Sequence, residues 1–455
     1  MSRIAAHIND AGITLLNGEQ ISYREPGFAL LDDDRLTTGN EAFAQARINP
    51  RRIHHRFWSK LETDSLVDKR FHHLTAADLV SRQLEQMWQK GASGGDGLVV
   101  AVPPYMHSAN LGLFLGIASE IEIPVVALVD AGVAATRREY QNAVPVHIEM
   151  SLHTTSLTRL AQPGQVRIER TEIIDSCGVV VLYDAWINAI AEAFVQQSRF
   201  DPLHTAETEQ MLLNRLGGWL ADASSVGQLE LQIEYGGRSY QAVIESLGLI
   251  AAAAPVYQLI ANNLRALYRA EDTPAIQISD RVARMPGLAD MLKARVGGEI
   301  FVLEPGATAR GALSRCRDAD NAGGGLSLIR QLPWDQSPIA LQVASDRQSD
   351  SGVPTHLLFG DTAYAIGNLP LVLGSQEDAA GRFITLAADM PGVSRRHCSL
   401  TRINGQCILE DHSRYGTFLN GHSINGTSVL QVGDSLRVGS PGYEFQLITT
   451  DDGHG

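Results

Sequence analysis

Two hydrophobic periods run along this chain, and they change beyond residue 330. Before that point, long apolar runs alternate with segments of helical period. LVVAV at residues 98–102 is an unbroken apolar run closed by Pro103 and Pro104, as expected of a strand buried on both faces. Residues 75–89 place Leu79, Val80, Leu84, Met87 and Trp88 on one helical face. Further strands are expected at 12–16, 28–31, 124–129, 146–150, 156–160, 166–173, 275–278 and 300–303. Helices are expected at 110–119, 184–197, 208–221, 247–268, 288–296 and 307–317, with Asp184 capping the first turn of its helix. The alternation predicts an α/β body over residues 1–330, in two lobes dividing near 145. Residues 331–354 are rich in Pro, Ser, Asp and Gln and read as a linker. From 355 to 450 the period becomes two, interrupted by the turn dipeptides Asn420-Gly421 and Asn425-Gly426, which predicts a small all-β sandwich.

Composition narrows the function. With 44% hydrophobic and 19% charged residues, the 455-residue chain has globular composition. Its net charge of −14 disfavours a general nucleic-acid binder, which needs a cationic face to displace counterions. No uninterrupted apolar run reaches the ~18–20 residues needed to cross a bilayer, and the N-terminal residues lack a signal-peptide pattern, so neither a membrane partner nor secretion is expected. Cys177, Cys316, Cys398 and Cys407 form no C-x-x-C pair and fit reduced thiols in the cytoplasm. His54-His55 and His72-His73 lack chelating spacing, so no metal site is expected.

The richest pattern is GVSRRHCSLTRINGQCILEDHSRYGTFLNGHSI at residues 392–424. It resembles the forkhead-associated (FHA) domain, whose signature is a Gly-Arg loop, then S-R-x-H, then D-x-S-x-N/Y-G-T-x-x-N-G. The matches are Ser394-Arg395-Arg396-His397, then Asp411, Ser413, Tyr415, Gly416, Thr417, Asn420 and Gly421. The resemblance covers about residues 355–449 and implies a phosphothreonine site built from loops. Ser394 would supply a hydroxyl and a backbone N–H, and Arg395 or Arg396 would supply charge. Ser413, Arg414, Tyr415, Gly416 and Thr417 would form the facing loop. His397, Asn420 and Gly421 would be framework residues. The family's phosphate-gripping Arg falls at Ser375 here, after Leu373-Gly374. Losing such a contact removes ~1.5–3 kcal/mol, so two docking modes stand open on these loops, one reading phosphate and one independent of it.

The body more distantly resembles the actin-like ATPase superfamily, nearest the DnaK-type chaperones. Asp10-Ala11-Gly12 with Thr14 occupies the place of the first phosphate loop. Residues 36–50, 99–106, 123–139, 285–292 and 303–313 follow in family order. The resemblance implies a duplicated RNase H-like fold and a site for ATP with Mg²⁺ at Asp10, Gly12, Thr14, Thr154 and Thr155. The second hairpin, D-L-G-G-G-T-T in the family, reads Glu149-Met150-Ser151-Leu152-His153-Thr154-Thr155, without its glycines. The adenosine strand end has Asp280-Arg281 in place of Gly-Gly.

The expected function is an adaptor or scaffold whose FHA module docks a protein partner, one carrying phosphothreonine and linked to a Ser/Thr kinase. The alternative is an ATP-driven actin-like switch controlling how that module is presented. No G-x-S-x-G, Walker A or H-E-x-x-H motif points to another chemistry.

Overall fold

The computed structural model describes residues 3–32, 35–68, 70–223, 227–316, 326–341, 353–359, 362–376, 382–386, 392–414, 416–419, 422–424, 426–439 and 443–449. The chain divides into two compact units, Met1–Leu341 and Gln342–Gly455.

The first unit holds two six-stranded sheets built alike. In the first, Arg3–His7, Ile13–Asn17 and Gln20–Glu25 run antiparallel in succession. Gly97–Val102 and Val125–Asp130 then join in parallel on the far side of Arg3–His7. In the second, Val144–Met150, Thr154–Ala161 and Val166–Asp175 form the antiparallel trio, and Pro274–Ile278 and Glu299–Val302 add in parallel beside Val144–Met150. Tight turns make the antiparallel steps. The parallel steps need crossovers, supplied by Ala76–Gly91 and Ser108–Glu120 in one half and by Val179–Ser198, Ala206–Ala223, Ser246–Leu267 and Leu288–Val296 in the other.

Local chemistry explains the boundaries. The Thr75 hydroxyl accepts from Asp78 N at 3.2 Å while the Asp78 carboxylate accepts from Thr75 N at 2.7 Å, a reciprocal cap that starts Ala76–Gly91. All six residues of Gly97–Val102 are buried, as the apolar run requires. Asp184 caps no helix: Val179–Ser198 begins a turn and more earlier, after Gly178, and Asp184 pairs with Arg47 instead. Several strands were not expected. Among them, Arg3–His7 is short and ends in charged or polar residues, and Gln228–Tyr235, whose alternate residues are buried, pairs with Arg238–Glu245 in a hairpin. Val179–Ser198 and Ser246–Leu267 have a mean hydropathy of 1.3 and are long enough to cross a membrane. Leu182, Trp186, Ile190, Leu249, Tyr257 and Ile260 commit them to the core of the second half.

Residues 331–341, expected to open the linker, belong to the body. Leu328–Ile329 pairs with Val125–Asp130 of the first sheet, and Gln331–Leu332 pairs with Val166–Asp175 of the second. Ile339–Ala340 pairs with Tyr140–Gln141. Arg137 donates to Asp335 at 2.7 Å and Arg138 to Gln336 at 2.6 Å, so the segment is held by side chains as well. Its Pro and Gln content hid short strands that only these long-range partners define.

The second unit is a two-sheet sandwich. One sheet orders Thr362–Ala365, His356–Phe359, Tyr443–Ile448, Ser435–Val438, Thr417–Leu419 and His422–Ile424. The other orders Arg382–Thr385, Leu371–Gly374, Cys398–Ile403, Gln406–Asp411 and Thr427–Leu430. Leu357, Leu373, Leu400, Leu409, Leu436 and Phe445 fill the space between them.

Candidate functional site

Strand register assembles one loop cluster on the sandwich. Leu373 lies opposite Cys398, and Cys398 opposite Asp411. The chain after Gly374, the chain before Cys398 and the chain after Asp411 therefore emerge side by side. Backbone bonds close the first two loops together: Ser375 N donates to Ser394 O at 3.1 Å and Gln376 N to Arg395 O at 3.2 Å. A Cβ at residue 374 would lie 2.0 Å from Arg395 O, so only glycine permits this approach.

His397 pins all three segments. Its N–H donates to Leu373 O at 2.7 Å, its carbonyl accepts from His412 N at 2.8 Å, and its Nδ1 accepts from Ser394 N at 3.1 Å. That last bond fixes the tautomer with the proton on Nε2. The residue is 0% exposed, and burial lowers its pKa against the pull of Asp411. Ser394 Oγ accepts from Arg414 N at 3.1 Å, tying the second loop to the third. Inside the third loop, Asp411 Oδ1 accepts from Ser413 N at 3.0 Å and from Thr417 Oγ1 at 2.6 Å, and Ser413 Oγ accepts from Gly416 N at 2.8 Å.

These bonds sort the expected site residues. The backbone N–H of Ser394, expected to face a ligand, is committed to His397. Its hydroxyl proton stays available because Oγ takes part there as an acceptor. Thr417 is 0% exposed and bonded to Asp411, so it is a loop strut and does not reach a ligand. Ser413 and Gly416 brace the same loop. Arg395, Arg396 and Arg414 are exposed around Ser394, and Ser375 is half-buried beside it. Tyr415, Asn420 and Gly421 lie outside the described residues. His412 Nε2, 2.9 Å from Ser399 Oγ, is a further brace that the motif did not mark. The cluster can present one hydroxyl donor and up to three guanidinium groups to an anion.

The body's expected nucleotide site is closed. Asp10 is 0% exposed, and its Oδ1 accepts from Leu152 N at 2.7 Å across the two sheets. Burial pushes its pKa up to about 7. Asn9 Nδ2 donates to Glu149 Oε1 at 3.0 Å and to Met150 O at 3.2 Å, and His7 pairs with Glu149. Thr14 Oγ1 donates to Gly12 O at 3.1 Å, Thr155 Oγ1 donates to Cys177 O, and Thr154 Oγ1 is buried with no hydrogen-bond partner among the described residues. His153, where the family has glycine, sits with Nε2 2.8 Å from His55 Nδ1. The Arg281 guanidinium covers Gly12, so close that a Cβ there would be 3.0 Å from Nη1. The cavity left beside these groups has room for ≈ 30 Å³ of water-sized contents, whereas small-molecule sites occupy roughly 300–1,000 Å³. Asp10, Gly12, Thr14, Thr154 and Thr155 therefore do not fit ATP with Mg²⁺, and no nucleotide step follows from them.

No curated protein matches the chain. A family match covers none of the body and lies wholly within the sandwich. FHA domains are phosphopeptide-binding interaction modules, so a protein partner is implied. Residues 372–439, which contain the His397-pinned loop cluster, match the FHA domain family.

Proposed function

We propose that this protein is an adaptor in which Ser394, Arg395, Arg396 and Arg414 capture a phosphothreonine of a protein partner. The observation that carries the reading is the clasp at Ser394. Ser394 is held through its amide by His397 and through its hydroxyl oxygen by the Arg414 amide, and Arg395, Arg396 and Arg414 are exposed on the same two joined loops. A hydroxyl and guanidinium groups on adjoining loops suit a dianionic phosphate. A link to a Ser/Thr kinase follows from the ligand's chemistry, because such an enzyme must write the mark. The body serves as an actin-like, duplicated platform. The repeated strand order supports that reading, and the closed seam argues against an ATP-driven switch. Four buried free cysteines suit work in the cytoplasm.

The test is a titration of the full chain with phosphothreonine peptides and their unphosphorylated counterparts. Binders are expected only in the phosphorylated set, and Ser375→Arg should tighten them while steepening their salt dependence. A native partner that stays bound after phosphatase treatment would replace this reading with phosphate-independent docking.

A further inference from the structure

The seam between the two sheets of the body contains buried polar atoms with no hydrogen-bond partner among the described residues. They include Asp10 Oδ2, Glu149 Oε2 and Arg281 Nη1. A buried guanidinium with nothing opposite it would be expelled, and so would two buried carboxylates. Asp280, next along the chain, attracts Arg281 but is shared, since Arg24 grips it through two bonds of 3.1 and 3.2 Å and Arg284 reaches it at 3.0 Å. Tyr183 and Glu149 of the second half and Asp10 of the first are the other acidic groups within its electrostatic reach. Gly12 gives the guanidinium room, since a Cβ there would press on it at 3.0–3.2 Å.

We infer that Arg281 is a tethered cation standing where a nucleotide and its metal ion would otherwise join the two halves, so the body is clasped by protein alone. Every function of such a ligand has a counterpart in the chain. Positive charge toward Glu149, and toward Asp10 once it gives up its proton, comes from Arg281. Bridging across the halves comes from Asn9–Glu149, Asn9–Met150, Asp10–Leu152 and Arg24–Asp280. The residual ≈ 30 Å³ suits a water or two, which would satisfy the orphaned atoms. A ligand shifts a two-state element only by its differential affinity for the two states, and a site that the protein fills itself leaves a ligand no such leverage. The body is then a fixed platform rather than a hinge. This inference does not depend on what the FHA module docks.

All five tryptophans lie at or before Trp334, so their fluorescence reads the body in the intact chain. Millimolar Mg-ATP or ADP should leave the wild-type melt unmoved. Arg281→Ala should lower it by roughly 5 °C and speed amide exchange at Leu152 about tenfold. Methylguanidinium at ~10 mM should restore at least half of both losses by refilling the vacated space, and methylammonium should not. If Arg281→Ala does not fold, Arg281→Lys takes its place, with a smaller fall expected. A variant as stable as the parent with unchanged Leu152 exchange would overturn the inference. So would protection of the 9–12 or 151–153 amides of the wild-type chain by Mg-ATP.

Discussion

Replacing Ser394 by alanine tests the docking geometry at one atom. Two bonds change. The first is the 3.1 Å bond that Ser394 Oγ accepts from Arg414 N. Arg414 is exposed, so water can serve the freed amide at little cost. The second is the donation from the hydroxyl to a bound phosphate. Hydrogen bonds to charged groups contribute about 1.5–3 kcal/mol net. Arg395 and Arg396 can move to recover part of that, which leaves a loss of roughly 1–2 kcal/mol, or about 5- to 30-fold in Kd. The backbone bond from Ser394 N to His397 Nδ1 survives the substitution, so the loop should keep its shape. Fluorescence anisotropy with a labelled phosphothreonine peptide reads the affinity, and Ser394→Thr, which keeps a hydroxyl, should recover most of it. Unchanged affinity in Ser394→Ala would refute the placement of the phosphate. An equal loss for phosphorylated and unphosphorylated peptides would refute the phosphate itself.

Other outcomes follow from the same structure. His397→Ala should destabilise the sandwich by roughly 2–4 kcal/mol, because it empties a core-edge position and orphans Ser394 N–H. Hydrogen exchange of the Cys398–Ile403 amides, against tryptophan fluorescence of the body, would show the loss confined to the second unit. Asp10, raised by burial from 3.8 to about 7, keeps a proton in the folded chain that the unfolded chain has released, so its stabilising contribution is lost as pH rises through 7. His147 and His153, both lowered by burial from 6.5 to about 4, act oppositely: their contribution is full above 6.5 and is lost as pH falls from 6.5 through 4. Asp10→Asn should therefore gain stability relative to the parent by roughly 2–3 kcal/mol between about pH 5 and 7.5, and a pH-independent difference in urea titrations would contradict the buried-carboxyl account. Limited proteolysis should cut soon after Leu341, where the two units divide, and leave a C-terminal fragment that unfolds cooperatively. A fragment without a cooperative transition would show that the sandwich needs the body.

Elements whose signal is local were readable from sequence. Residues 98–102 announce a buried strand because every side chain is apolar, and residues 75–89 announce a helix because their apolar positions share one face. The Ser394–His397 and Asp411–Thr417 spacings were readable for a similar reason, since each loop is braced by bonds between near neighbours. Arg3–His7 escaped because it is a strand only by pairing with Ile13–Asn17 and with Gly97–Val102, which lies far along the chain. The strands at 328–332 escaped for the same reason. At the seam, the sequence showed that glycines were missing but not what replaced them. Asp280 and Arg281 are adjacent, yet one salt-bridges Arg24 and the other covers Gly12, a division of labour set by tertiary position.

The segment from Leu328 to Leu341 also fixes how mechanical load would pass through the molecule. Any pull on the FHA domain enters the body at Leu341 and meets Ile339–Ala340 first, then the Arg137–Asp335 and Arg138–Gln336 bonds, and only afterwards the two-residue strands on each sheet. Each of these is a short, separately breakable latch, while the long strands behind them share many bonds. Tension would therefore pay out about a dozen residues of chain, roughly 40 Å at full extension, by stripping only the two-residue edge strand from each main sheet. A tethered partner could be tugged over that distance while the platform stays folded.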